Sequence, residues 1–182
     1  MKESSLNFQP VIENRNLVPK NVYDVISNWK IKAQIKEFLV AEIDPNYVDG
    51  IELCEKYNID PKCGANCLIV DGIRGDSHTY AILLVPVGYK YDMSKVVRKE
   101  LGVRMVSVAP LDYVLEQSKM EYGSINPIGL PEDWMLYIDP LVLENERIII
   151  GSGYKRSKLS IPSEGLLLLP NAKILEGLSK KG

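Results

Sequence analysis

With 182 residues, 46% of them hydrophobic and 25% charged, the chain is long enough to bury one core and too ordinary in composition for a disordered or fibrous protein. Lys and Arg number 22 against 24 Asp and Glu, a formal charge of -2, which argues against DNA as a partner and confines any RNA contact to a local patch. No run approaches bilayer-spanning length and the N-terminus lacks a basic-then-apolar leader, so a cytoplasmic, reduced protein without a membrane partner is expected.

Residues 1–20 are polar and weakly periodic, with Pro10 and Pro19, and read as an extended or partly ordered arm. The remainder, 21–182, shows no interior linker or repeat and reads as one domain. Val22, Val25, Ile26 and Trp29 fall at helical spacing, and Ile35, Leu39, Ala41 and Ile43 suggest a strand ending at Asp44-Pro45. A second helix is expected from Asn46. Cys67–Val70 and Thr79–Val85 read as a strand hairpin around the loop GIRGDSH.

Asp92 is placed to cap a helix carrying Met93, Val96, Val97 and Leu101; Arg104–Val108 returns as a strand, and Pro110 opens a helix. Met135–Ile138, Arg147–Ile150 and Lys158–Ile161 are further strands, the first two separated by a short helix from Asp139-Pro140. Pro162 opens a last helix or turn through Leu169, and Ser179–Gly182 reads as a frayed tail. Strict strand-helix alternation is absent, so the expected class is α+β: a curved, barrel-like mixed sheet with short flanking helices.

The stretch MEYGSINPIGLP, Met120–Pro131, puts glycine, proline and small polar residues where a core segment would put large apolar ones. Such a loop presents backbone to a ligand: Gly123 and Gly129 tolerate close approach or positive φ, while Pro127 and Pro131 stiffen the path. A second glycine turn, Gly151-Ser152-Gly153, follows the strand Arg147–Ile150, and the two turns are expected to face one pocket. The structural alternative is a self-packed loop.

Cys54, Cys63 and Cys67 lack a second cluster or a companion histidine, which argues against zinc, and no metal or cofactor is expected. His78, the one histidine, reads as a solvated loop residue, and no Ser/His/Asp set is evident. Ser152 has no companion base and reads as a turn serine rather than a nucleophile. Cys67 reads as core by periodicity.

The ordered motifs GANCLIV, LGVRMVSVAP, MEYGSINPIGLP, LYIDPLVLENERIIIGSG and KLSIP resemble the YbaK/EbsC family, over about Asn46 to Leu169. That family includes the editing domain of prolyl-tRNA synthetase and free-standing aminoacyl-tRNA deacylases. The resemblance implies a barrel-like mixed sheet and hydrolysis of the ester joining a wrong amino acid to the 3′ acceptor end of tRNA. The family's GxxxP loop falls on Gly123-Ser124-Ile125-Asn126-Pro127, continued by Ile128-Gly129-Leu130-Pro131, and its later glycine turn on Gly151-Ser152-Gly153. Two positions depart from the pattern. Asn66 stands at the family's functional lysine, and Lys158 at a position where some members carry an acid.

The implied chemistry needs few side chains. An aminoacyl ester is already activated, and one preorganised donor to its oxyanion contributes on the order of 3 kcal/mol, a role open to the amides of Gly123, Ser124, Ile125 or Gly153. Asn66 reads either as a substrate contact or as a satisfied strand-end residue; it can hydrogen-bond but supplies no charge. On the same resemblance Asn126, Pro127, Ile128, Gly129, Gly151, Ser152, Gly153 and Lys158 line the substrate pocket. Lys155 and Arg156 read either as RNA-backbone contacts or as a solvated charge run. The alternative function is a non-catalytic protein of the same fold that retains an aminoacyl- or nucleotide-like ligand. Oligomeric state is not legible.

Overall fold

A computed structural model describes residues 4–182. In chain order its regular elements are β1 (Gln9–Pro10), α1 (Lys20–Ser27), β2 (Leu39–Glu42), α2 (Gly50–Lys56), β3 (Ala65–Arg74), β4 (Ser77–Pro86), β5 (Tyr89–Tyr91), α3 (Arg98–Leu101), β6 (Met105–Val108), α4 (Leu111–Ser118), β7 (Met135–Ile138), β8 (Arg147–Gly151), β9 (Ser157–Pro162), β10 (Ala172–Ile174) and β11 (Ser179–Lys181). Short 3₁₀ turns fill several connections, and a π turn, Met93–Val97, leads into α3.

Three sheets result: β1-β2-β9-β8, β10-β7-β4-β3-β6, and the two-stranded β11-β5. The five-stranded sheet is mixed, with β3 antiparallel to β4 and β6, and β7 parallel to β4 and β10. The four-stranded sheet is antiparallel throughout. The fold is thus α+β, as expected, with one mixed and one antiparallel sheet, and the sheets stay open instead of closing into the expected barrel-like form.

Alternation explains the layering. On β4, Ile82 and Leu84 join Val40, Ile148, Ile150, Leu159 and Ile161 in one core between the two larger sheets. Ala81, Leu83 and Val85 point the other way and pack with Val97, Leu175 and Leu178. The five-stranded sheet is therefore buried on both faces, which is why Ala81–Pro86 reads as an unbroken apolar run rather than an alternating one.

Several expectations are corrected. The segment read as an arm supplies Val11, Leu17 and Val18 to the main core, and Pro10 and Gln9 pair with β2; residues 1–3 of that arm lie outside the described residues. The second helix begins at Gly50, four residues later than expected, because Asp49 rather than Asn46 caps it, accepting from the Ile51 amide at 3.1 Å. The loop GIRGDSH is largely strand, so His78 sits on β4 with Nδ1 2.7 Å from Oδ2 of the buried Asp71 instead of in a solvated loop. The tail is not frayed: Ser179–Lys181 pairs antiparallel with Tyr89–Tyr91.

Candidate active site

Where β3 of the five-stranded sheet comes nearest to β8 and β9 of the other, the two sheets diverge around a cavity of about 440 Å³. Its walls come from Asn66 and Cys67 of β3, Gly123 and Ile125 of the glycine loop, Gly151 of β8 and Lys158 of β9. Val48 and Gly50 close one side and α4 residues Leu111 and Val114 the other.

The two glycine bends touch. The Gly153 amide donates to the Ser124 carbonyl at 2.8 Å, and the Glu121 amide to the Gly153 carbonyl at 2.8 Å. Gly151 is the contact point: a Cβ there would collide with the Ser124 carbonyl, so a side chain would push the loops apart. Both bends therefore border one space, with a different division of labour from the one expected. The Ser124 amide donates to the Glu121 carbonyl at 3.0 Å and the Gly153 amide is taken by Ser124, so neither is free for a substrate. Among the described residues the Gly123 and Ile125 amides have no acceptor, and both residues line the cavity.

Other expected pocket residues serve the loop itself. Ser152 is fully buried, its Oγ 2.8 Å from Ser157 Oγ and donating to the Tyr154 carbonyl at 2.9 Å, which makes it a turn-holding serine. Asn126 is also fully buried and its Oδ1 accepts the Ile128 amide at 2.8 Å, an Asx turn; Ile128 is core. Pro127 and Gly129 are not on the walls of this cavity. They line a separate, apolar cavity of about 350 Å³ with Trp29, Trp134 and Leu136.

Lys158 is the buried cation of the site, while Asp49, whose side chain caps α2, is the carboxylate residue on its walls. Lys158 is 6% exposed, its Nζ donates to the Val48 carbonyl at 3.1 Å, and no described carboxylate forms an ion pair with it. Burial pulls its ammonium down to about 8, while the Cys54 thiol and Asp49 act weakly in the other direction. The family resemblance put Lys158 in the pocket, apart from Lys155 and Arg156, and strand β9 carries it to the cavity wall.

Asn66 is exposed on the cavity wall, with Oδ1 beside the Gly50 Cα, so the two positions singled out as departures face the same space. Lys155 stands at the rim, its Nζ 5.9 Å from the exposed Tyr122 ring. Arg156 does structural work: its guanidinium donates to the Asn16 carbonyl and lies 5.5 Å from the Tyr154 ring. Cys67 borders the cavity, and burial pushes its thiol up to about 12, which leaves it protonated and a poor nucleophile. Among the described residues no cluster of three or more His, Cys, Asp and Glu side chains is placed to hold a metal, and no helix is long and apolar enough to cross a membrane.

Against known proteins, the family model described as the aminoacyl-tRNA editing domain matches residues 44–169. Among solved structures, a protein described as a candidate trans-editing enzyme for prolyl tRNA synthetase superposes with a TM-score of 0.73 at 17% identity, covering 90% of this chain and 96% of that one. One described as hypothetical gives 0.70 at 17% identity, over 82% of this chain and 96% of that one. A candidate signal transduction protein from Marinobacter aquaeolei gives 0.58 at 14% identity, covering 89% of this chain and 31% of that longer one. Comparison with curated protein sequences finds no match. At these identities the structural likeness concerns the fold, whereas the family match spans most of the chain, including both glycine bends, Asn66 and Lys158: the chain belongs to the aminoacyl-tRNA editing domain family.

Proposed function

We propose that the protein hydrolyses the ester of mischarged aminoacyl-tRNA in trans, with the cavity between β3, β8 and β9 receiving the aminoacylated 3′ end. The observation that carries this reading is the convergence of Gly123, Ile125, Gly151, Asn66 and Lys158 on one space. Two loop amides without internal acceptors are suited to an oxyanion, and each such donor is worth about 3 kcal/mol when preorganised. A buried lysine without a carboxylate partner is suited to an anionic oxygen of the substrate, since an unpaired buried cation is costly until an anion meets it. Asn66 adds a neutral hydrogen bond to ribose or carbonyl. Water is the nucleophile, and no metal takes part.

In this reading Lys158 supplies from β9 the charge that Asn66 does not supply from β3. Lys155, at the rim, meets the RNA backbone; Arg156 positions the N-terminal segment. The apolar wall of Val48, Val114 and Ile125 admits a small apolar acyl side chain, and a pocket of this kind discriminates by roughly 1–3 kcal/mol per methylene.

The test is deacylation of a panel of mischarged tRNAs by the wild-type protein and by Lys158→Met. Hydrolysis by the wild type and its loss in the variant support the reading. Binding of the charged tRNA end with no hydrolysis of any ester would favour a non-catalytic carrier instead.

A further inference from the structure

Strand β3 changes partners along one edge, and the change leaves its main chain open beside the cavity. Just before its first residue, Gly64 makes an isolated parallel bridge to Ile149 of β8. The ladder to β6 begins only at Val70, opposite Val108. Cys67 lies between the two.

Hydrogen bonds fix which way its backbone points. The Val87 amide donates to the Gly64 carbonyl at 3.0 Å on the β4 side, whereas the Ala109 amide donates to the Ile69 carbonyl at 3.0 Å on the β6 side. Main-chain groups alternate edges along a strand, so Asn66 and Leu68 bond to β4 while Cys67, like Ile69, turns its N–H and C=O to the other edge. Continuing the β6 register would put Leu111 opposite Cys67, but Pro110 turns the chain into α4 before it gets there. Neither ladder reaches Cys67, and the residue lines the cavity.

An aminoacyl ester carries an ammonium and a carbonyl on one carbon. That is the donor and acceptor pair with which one residue of an antiparallel strand meets its opposite number. We infer that the Cys67 main chain binds the aminoacyl group as if it were a single added strand residue: its carbonyl accepts from the α-ammonium and its N–H donates to the acyl carbonyl. This contact rests on the hydrolase reading and refines it.

Two consequences follow from strand geometry. Directly opposed residues share a face, so an L-acyl side chain lies on the Cys67 side, toward Val114 and Ile125, both of which pack in the same cluster as Cys67. A substrate without a free α-amino group loses one of the two contacts. The thiol itself is not required.

Amide hydrogen exchange measured by NMR tests the contact on the intact protein. In the free protein the Cys67 amide should exchange quickly between protected Asn66 and Leu68. Saturation with the non-hydrolysable 3′-(alanylamino)-3′-deoxyadenosine should slow it at least tenfold. Cavity amides that shift while Cys67 exchange stays unchanged would overturn the contact and leave the hydrolase reading in place; no response from any cavity amide would overturn both.

As a second measurement, the tRNA ester hydrolysed fastest is compared with its α-hydroxy counterpart, each corrected for its uncatalysed rate. A fall of about ten- to hundredfold in kcat/KM is expected for losing a charge-assisted hydrogen bond. Equal rates on the two esters would refute the α-ammonium contact.

Discussion

The Ser124 carbonyl accepts the Gly153 amide at 2.8 Å and fills the space a Cβ on Gly151 would need, so the two glycine bends are fastened at a point beside the cavity. That fastening leaves no room for a side chain at Gly151. Gly151→Ala should cost about 1–3 kcal/mol in urea unfolding, as overpacking against main chain does, and should lower deacylation further than stability accounts for. An alanine variant with wild-type stability would show that the loops separate freely.

Gly123 has φ of +83°, while a Cβ there would meet only Val48 Cγ2, at 3.5 Å. Strain rather than collision therefore sets the penalty. Gly123→Val should lose about 1–3 kcal/mol of stability together with activity, the usual cost of a β-branched residue held at positive φ. Chemical denaturation and single-turnover deacylation measured on the same preparation check this, and an unchanged denaturation midpoint would contradict it.

Lys158 titrates near 8 in the folded protein, below its ordinary 10.5, because burial disfavours the ammonium. The unfolded chain holds the extra proton between those values, so this group makes stability rise with pH across roughly 8 to 10.5. Below about pH 8 the buried charge costs up to roughly 3 kcal/mol. Lys158→Met should therefore be more stable than wild type at pH 7 and lose that advantage as pH approaches 10.5. In the wild type, affinity for the charged tRNA end should weaken as pH rises through 8. A KM that is flat from pH 7 to 9.5 would count against Lys158 as the substrate's cation.

Lys155 and Arg156 adjoin in sequence but should separate in experiment. Arg156→Ala removes the tie to Asn16 and should lower thermal stability while changing KM little. Lys155→Ala should raise KM for tRNA severalfold and leave the melting temperature unchanged, since among the described residues its side chain meets just the rim aromatic Tyr122. The reverse pattern would reassign the two.

Much of the fold was legible because local signals agreed with tertiary ones. The apolar runs at Cys67–Val70 and Thr79–Val85 form a hairpin, and Asp92, Pro110 and Asp139 begin helical segments where expected. What escaped was short and polar. Ala172–Ile174 and Ser179–Lys181 hold their places through backbone pairing to β7 and β5, which leaves no mark on side-chain periodicity. Val11, Leu17 and Val18 are core residues spaced without a helical or strand repeat.

At the site, the glycine loop announced itself, but its division between two cavities did not, because that depends on which strand each loop residue meets. Lys158 was placed in the pocket by the family resemblance alone; the pairing of β9 with both β2 and β8 is what turns it inward. The open edge at Cys67 is likewise invisible in sequence, since it arises from where two ladders stop.

The account stands most directly on single-turnover deacylation of a mischarged-tRNA panel by the wild type and Lys158→Met, both at pH 7. It predicts ester hydrolysis by the wild type, strongest for a small apolar amino acid, and at least a hundredfold loss in a variant that remains folded. A folded wild type that leaves every ester intact, or a Lys158→Met protein as fast as wild type, would contradict it.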